Sequence, residues 1–142
     1  MKNNTFYIYF FFFIFFNLNL SSQELEINSS EIQYDKINKV TIFTGSVNTK
    51  DENGNKLFSE YAKYDKSKEK IETEGQTKIL TSGGYEVLSS NVIFDDKKKI
   101  IYSNYKTQIK DKDGNKIFVD MFNYSTLTNI FFSKGEIKIF DI

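Results

Sequence analysis

The chain alternates apolar and polar residues with a period of two from about residue 26 onward. Ile32 and Tyr34, for example, are separated and flanked by polar residues. Such alternation, with aromatic and β-branched residues at the apolar positions, is typical of half-buried strands. The pattern returns every 30 residues, which indicates tandem repeats. Columns at this spacing are Tyr34/Tyr64/Phe94/Tyr124, Ile32/Ala62/Val92/Phe122 and Ile27/Leu57/Val87/Ile117.

Two longer stretches show the same repetition at twice the period. Residues 51–79 and 111–139 align without a gap and share nine identities over 29 positions. Each 30-residue unit contains one apolar-alternating half, a polar turn and a second extended half. Asp35, Asp65 and Asp95 start three of the turns, where a carboxylate can accept hydrogen bonds from nearby backbone amides.

The second half of each unit supplies a further set of inward-facing candidates. They are Val47, Thr77, Ile79, Ile109, Ile137 and Ile139. Gly45, Gly75 and Gly135 lie in the middle of these predicted strands, and a glycine there indicates a bulge or a bend. Tyr105 occupies the same column in the third unit, so we expect a different bend there.

These features predict an all-β fold without helices. About eight long strands joined by short turns would pair antiparallel as a meander. One apolar face must be buried, so the sheet either closes as a barrel or folds on itself. The bends favour folding, as an open β-jelly-roll of hairpin repeats with a taco-like shape. Such a roll has two free edges, near residues 27–34 and 130–140.

Composition removes several classes of chemistry. The chain has no His, Cys or Arg, and its 19 lysines balance 19 acidic residues. Disulfides, Cys or His metal sites and His-based catalysis are excluded, so we predict no enzyme and no cofactor. The balanced charge also argues against nucleic acid. The segment DKDGN at 111–115 resembles the start of a calcium loop, but position 12 is Phe122 and the context predicts a hairpin turn.

The N-terminus differs from the rest of the chain. Lys2 is followed by an apolar run over residues 5–16 and by the small and polar segment NLNLSS. This order predicts a secretory signal peptide over residues 1–22, with the mature domain over 23–142. An uncleaved N-terminal anchor is the alternative.

The aromatic column has several interpretations. It predicts a packed core, a stacking platform for single-stranded nucleic acid, or an apolar groove that accepts an acyl chain. The lysines of the turns solvate the surface or face anionic headgroups. Periodicity alone does not separate a core from a groove.

The repeat resembles the OstA-like family of lipopolysaccharide transport proteins, which includes LptA and the N-terminal periplasmic domain of LptD. Matching segments are Ile32-Gln33-Tyr34-Asp35, Gly45-Ser46-Val47 and the turn at 51–54, with second matches at 62–65, 75–77 and 111–114. Thr77 and Thr107 depart from the family's valine, and Asn104-Tyr105 from its glycine. The chain is either LptA-like or the N-terminal part of an LptD-like protein.

The resemblance implies a periplasmic β-jelly-roll that shields the acyl chains of lipid A during transfer to the outer membrane. It implies lipopolysaccharide as ligand and edge-to-edge joining with similar rolls, in homo- or hetero-oligomers. The lipid-binding residues it implies are Ile32, Tyr34, Ala62, Tyr64, Val92, Phe94, Phe122 and Tyr124, faced by Val47, Ile79, Ile109, Ile137 and Ile139. The alternative hypothesis is a structural or adhesive repeat with a permanently filled core.

Overall fold

A computed structural model describes residues 25–140. Within that range all regular secondary structure is β-strand. The predicted signal peptide, residues 1–22, lies outside the described residues. Within 25–140 no helix is long and apolar enough to cross a membrane. The strands are β1 (Glu26–Asn28), β2 (Glu31–Asp35), β3 (Val40–Lys50), β4 (Lys56–Asp65), β5 (Lys70–Thr73), β6 (Gln76–Leu80), β7 (Glu86–Ser90), β8 (Ile93–Asp95), β9 (Ile100–Ser103), β10 (Thr107–Lys110), β11 (Lys116–Ser125) and β12 (Ile130–Phe140).

The twelve strands form eight consecutive bent strands, as the sequence predicts. Strands β3, β4, β11 and β12 run through the bend without a break. The other four bent strands are interrupted there and appear as the pairs β1 and β2, β5 and β6, β7 and β8, and β9 and β10. Each bent strand pairs antiparallel with the next one along the chain. The all-β meander is therefore confirmed.

Three of the bends occur at the mid-strand glycines. Gly45, Gly75 and Gly135 have φ angles of 72°, 73° and 95°. This left-handed conformation is unfavourable for residues that have a side chain. The β3–β4 register shifts between Thr44 and Val47, next to Gly45. In the third unit the chain leaves strand conformation at residues 104–106 around Tyr105, so that bend differs from the others. The expected bends are confirmed.

The bends divide the sheet into two layers that face each other. The first layer contains β2, β5, β8 and β9 with residues 40–44, 61–65, 122–125 and 130–134 of the long strands. The second layer contains β1, β6, β7 and β10 with residues 47–50, 56–59, 116–119 and 137–140. We call the line of bends the crease. The turns at the opposite ends of the two layers are the first-layer rim and the second-layer rim.

The first-layer rim is built by the recurring aspartates. Asp35 Oδ1 accepts hydrogen bonds from the amides of Ile37 and Asn38, and Asp95 Oδ1 accepts one from the amide of Lys98. Asp65 makes the same contacts in its turn, and its hydrogen bonds with Lys68 and Ser67 hold the pKa of its carboxyl well below the usual value. Local side-chain acceptors of this kind favour turns over continued strand.

The sheet ends in two edges at the places that the sequence predicts. Strands β1 and β2 pair only with β3, and β12 pairs only with β11 among the described strands. Each edge strand therefore has one row of backbone amides and carbonyls that no neighbouring strand satisfies. Such edges are templates for pairing with another strand.

Candidate functional site

The apolar columns form continuous rows across the inner face of the roll. Strand register places Tyr34, Tyr64, Phe94 and Tyr124 in one row, with one residue of an intervening strand between successive members. The full row is Tyr34, Thr41, Tyr64, Ile71, Phe94, Ile101, Tyr124 and Phe131. Residues directly opposite each other in antiparallel strands share a face. The alignment predicted from the 30-residue spacing is confirmed for the first layer.

A second row crosses the inner face of the second layer. It consists of Ile27, Thr49, Leu57, Ile79, Val87, Ile109, Ile117 and Ile139. The other predicted residues lie closer to the crease. Ile32 and Ala62 are both opposite Phe43 in the first layer. Ile137 is opposite Val119 in the second layer.

The middle of the roll is packed. Phe94, Val87 and Tyr124 are exposed by 3%, 0% and 0%, and they belong to one core cluster with residues of both layers. A cavity of about 10 Å³ lies between Leu57 of the second layer and Phe94 of the first, which is room for about one water molecule. Of the predicted residues, those buried here are Val47, Ala62, Ile79, Val92, Phe94, Ile109, Phe122 and Tyr124.

The two ends of the roll expose the same inner face. At the N-terminal edge Ile32 and Tyr34 are exposed by 64% and 58%, and Tyr64, next in the row, is partly buried. At the C-terminal edge Ile137 and Ile139 are exposed by 51% and 63%. The predicted residues therefore share a face but not an environment, because only its middle part is covered.

Contacts between the two rims show why the ends are uncovered. The Lys99 ammonium of the first-layer rim lies 3.2 Å from a carboxylate oxygen of Glu52 in the second-layer rim. Ser82 Oγ donates to Asn129 Oδ1 across the same gap at 3.2 Å. Both pairs are 47 positions apart in the chain. The layers are thus staggered, and the second-layer turns at 51–55 and 81–85 each face a first-layer residue 47 positions later.

Among residues 25–140, the stagger leaves half of each end without a partner layer. First-layer strand β2, which carries Ile32 and Tyr34, extends past the described strands of the second layer at the N-terminal edge. The last second-layer strands, which carry Ile137 and Ile139, extend past the first layer at the C-terminal edge. The turn Asp111–Asn115 has no first-layer turn 47 residues later among the described residues. Exposed apolar surface that is contiguous often marks an interaction site.

The rim contacts close the middle of the roll. Besides the two polar pairs, the rings of Tyr85 from the second layer and Phe131 from the first meet edge to face, with centroids 4.9 Å apart. Lys99 also contacts Asp96 at 2.7 Å. Burial lowers the pKa of Lys99, but its hydrogen bonds with Asp96 and Glu52 outweigh that effect and raise the pKa above its usual value. The three residues form an acid–lysine–acid cluster across the gap.

Hydroxyl side chains line the interior of the crease. Thr73 Oγ1 accepts from the Val92 amide, and Thr73 and Thr77 share a hydrogen bond of 2.7 Å. Ser89 and Thr107 share another of 2.7 Å. No buried side-chain polar atom of the described residues lacks a partner. These hydroxyls satisfy backbone and side-chain groups where the bend interrupts the strand ladder.

Several residues of the inner face were absent from the predicted set. Phe43, Leu57, Ile71, Ile101 and Val119 are all buried in the same core cluster. A signal for some of them exists, since Thr41, Ile71, Ile101 and Phe131 also form a column spaced by 30. That column belongs to the return strand of each first-layer hairpin, and cross-strand pairing brings it beside the tyrosine column.

The described residues offer no alternative metal or calcium site. The segment 111–115 is a hairpin turn, in which Asp111 binds the backbone and side-chain amides of Asn115. Within residues 25–140 no group of three or more acidic side chains is placed to hold a metal ion. The inner face and its two exposed ends are therefore the candidate site.

Comparison with solved structures identifies this arrangement. The chain superimposes on the crystal structure of LptH from Pseudomonas aeruginosa, the LptA-homologous periplasmic component of the conserved lipopolysaccharide transport device, with a TM-score of 0.71. The chain has the LptA fold. The match covers 84% of this chain and 96% of LptH at 12% sequence identity. No protein-family model and no curated protein sequence matches the chain. The LptA-like roll predicted from the repeat is confirmed as the fold.

Proposed function

We propose that this LptA-like roll is a non-enzymatic lipopolysaccharide transport protein of the periplasm, exported by its N-terminal segment. The observation that carries the proposal is an inner apolar face that runs the length of the roll and is exposed at both ends. An acyl chain lying on that face would gain about 0.8 kcal/mol for each CH₂ removed from water. Sugars and phosphates would stay in solvent beside the rims.

The exposed ends are the places where a lipid would first make contact. Tyr34 and Ile32 form an apolar patch at the N-terminal edge, and Ile137 and Ile139 form one at the C-terminal edge. A chain passing between the patches must cross the packed middle, where Val87, Phe94 and Tyr124 are almost fully buried. Passage would therefore require the two layers to separate along the rims.

Joining of rolls at their edges would connect the two patches. Strand β12 of one roll would pair with β1 and β2 of the next, since each has a free row of backbone groups. The projecting first layer of one roll would then cover the projecting second layer of its neighbour. The inner face would continue from one roll to the next, whether the chain acts as an LptA-like protein or as part of an LptD-like one.

Site-specific photocrosslinking in Gram-negative cells tests the lipid proposal. A photoreactive residue at Tyr34 or at Ile139 should give lipopolysaccharide adducts. Matched controls are the adjacent positions Gln33 and Lys138, which are exposed on the outer face of the same strands and should give none. Absence of adducts at all inner positions in a folded protein would contradict the proposal, as would equal adducts on both faces.

The packed middle favours one alternative, a structural repeat whose core is permanently filled. A photoreactive residue at Phe94, which is 3% exposed, separates the two functions. Adducts at Phe94 would show that lipid enters between the layers. Adducts at neither Phe94 nor the exposed ends would favour the structural repeat.

A further inference from the structure

The rim contacts within the roll predict which residues would face each other if another roll docked against the edge strand β12. Glu52 faces Lys99, and Ser82 faces Asn129. By repetition the next second-layer rim position is Lys112, which is 30 residues after Ser82 and 60 after Glu52. Lys112 is exposed. The first-layer turn that docks against β12 will therefore place its rim residue opposite Lys112.

The same repetition shows which residue a second copy of this chain would bring. Four 30-residue units make 120 positions. If the N-terminal edge of a second copy docks on β12 and continues the repeat, each of its residues takes the place of a position 120 higher in the first copy. The residue opposite Lys112 would then be Lys39 of the second copy. Lys39 corresponds to Lys99 by 60 positions, and both have the same left-handed backbone, with φ of 56° and 55°.

The charges of the observed cluster are reversed in such a contact. Within the roll, Lys99 lies between Glu52 and Asp96. The corresponding residues in a contact between two copies are Lys112, Lys39 and Lys36. An acid–lysine–acid cluster thus becomes three lysines. Asp113 of the same turn corresponds to Asn53. Within the roll the residue that contacts Lys99 is Glu52 rather than Asn53. By the same correspondence, Lys112 rather than Asp113 would face the opposite rim.

We propose that the C-terminal edge disfavours a second copy of this chain and selects a different roll of the same fold. That partner carries a carboxylate at the rim position where this chain has Lys39. The inference rests on the edge pairing in the proposed function and adds the chemistry of the partner. Like charges in contact oppose the wrong partner, and opposite charges favour the right one.

A charge-reversal cycle tests the rule on the full chain in the absence of lipid. The dissociation constant for self-association is measured by sedimentation for the wild type, Lys39→Glu, Lys112→Glu and the double variant. Each single change should tighten self-association by about threefold to tenfold, and the double variant should be weaker than either single variant. Glu at position 39 is compatible with the backbone, because Glu69 holds the equivalent position with φ of 54°.

Salt and a matched control remove the effect of net charge. Lys66→Glu changes the net charge equally at another exposed first-layer turn and should leave self-association unchanged. Raising salt should strengthen wild-type self-association and weaken that of the single variants. The rule is overturned if the wild type associates as tightly as the single variants, or if Lys66→Glu matches their effect. Either failure would leave lipid crosslinking at Tyr34 and Ile139 unaffected.

Discussion

The middle and the ends of the roll contain the same repeat but differ in environment. Phe94 and Tyr34 occupy the same column and the same row, and yet they are exposed by 3% and 58%. In the second layer, Ile79 and Ile139 share a column at twice the period and are exposed by 1% and 63%. The comparison teaches that the stagger between the layers, rather than residue type, decides which part of the apolar face is core.

The largest expected difference between the two regions is in stability. Phe94→Ala should lower the free energy of unfolding by about 3–5 kcal/mol, because it leaves a cavity in a packed core. Tyr34→Ala, in the same row, should change it by no more than about 0.5 kcal/mol, because the side chain is exposed. Urea denaturation of the two variants measures both values. Equal losses would show that the N-terminal end is covered in solution.

Locking the rims should separate the two regions in lipid contact. A Cβ at Gly83 would lie 3.5 Å from the Cβ of Asn129 across the gap, within the range for disulfides, and the chain has no other cysteine. We expect the oxidised Gly83→Cys/Asn129→Cys variant to reduce lipid crosslinking at Phe94 at least tenfold and to leave crosslinking at Tyr34 unchanged.

The same variant under reducing conditions is the control for the rim lock. Crosslinking at Phe94 should return once the disulfide is reduced. If the oxidised protein crosslinks at Phe94 as well as the reduced one, lipid does not enter through the rims.

The ion pair across the rims should have the smallest effect. A double-mutant cycle of Glu52→Gln and Lys99→Met should give a coupling of about 0.5–1 kcal/mol, since the pair is near the surface. The pKa of Lys99 is raised in the folded protein, so its contribution is complete below the unfolded pKa of about 10.5. It is lost as pH rises through the folded value.

Comparing the wild type with Glu52→Gln by urea denaturation at pH 8 and above pH 11 isolates this pair. The difference in stability between the two proteins should shrink at the higher pH. A difference that grows with pH would contradict the assignment of Lys99 as the charged partner of Glu52.

The fold could be predicted from the sequence because its signals are local. Alternation identifies the strands, Gly45, Gly75 and Gly135 mark the bends, and the 30-residue period aligns Tyr64 with Tyr124. The count of eight bent strands follows from the same features. The alternation repeats in all four units and the bend glycine in three of them, so each unit supports the interpretation of the others.

The environment of the site could not be predicted in the same way. The pattern assigns Ile137 and Ile139 to the inner face, but it contains nothing about which strands of the other layer lie over them. That depends on the 47-residue stagger between the layers. Lys99 and Glu52 are far apart in sequence and carry no pattern that pairs them. Only the folded chain brings them together.

The pairing of each bent strand with the next one along the chain has a consequence for how the protein folds. Every bent strand after the first therefore pairs with a neighbour that precedes it in the chain. The chain also has no proline and no cysteine, so neither prolyl isomerisation nor disulfide oxidation delays it. A chain that emerges from a channel N-terminus first can therefore build its sheet one strand at a time, with each strand serving as the template for its successor.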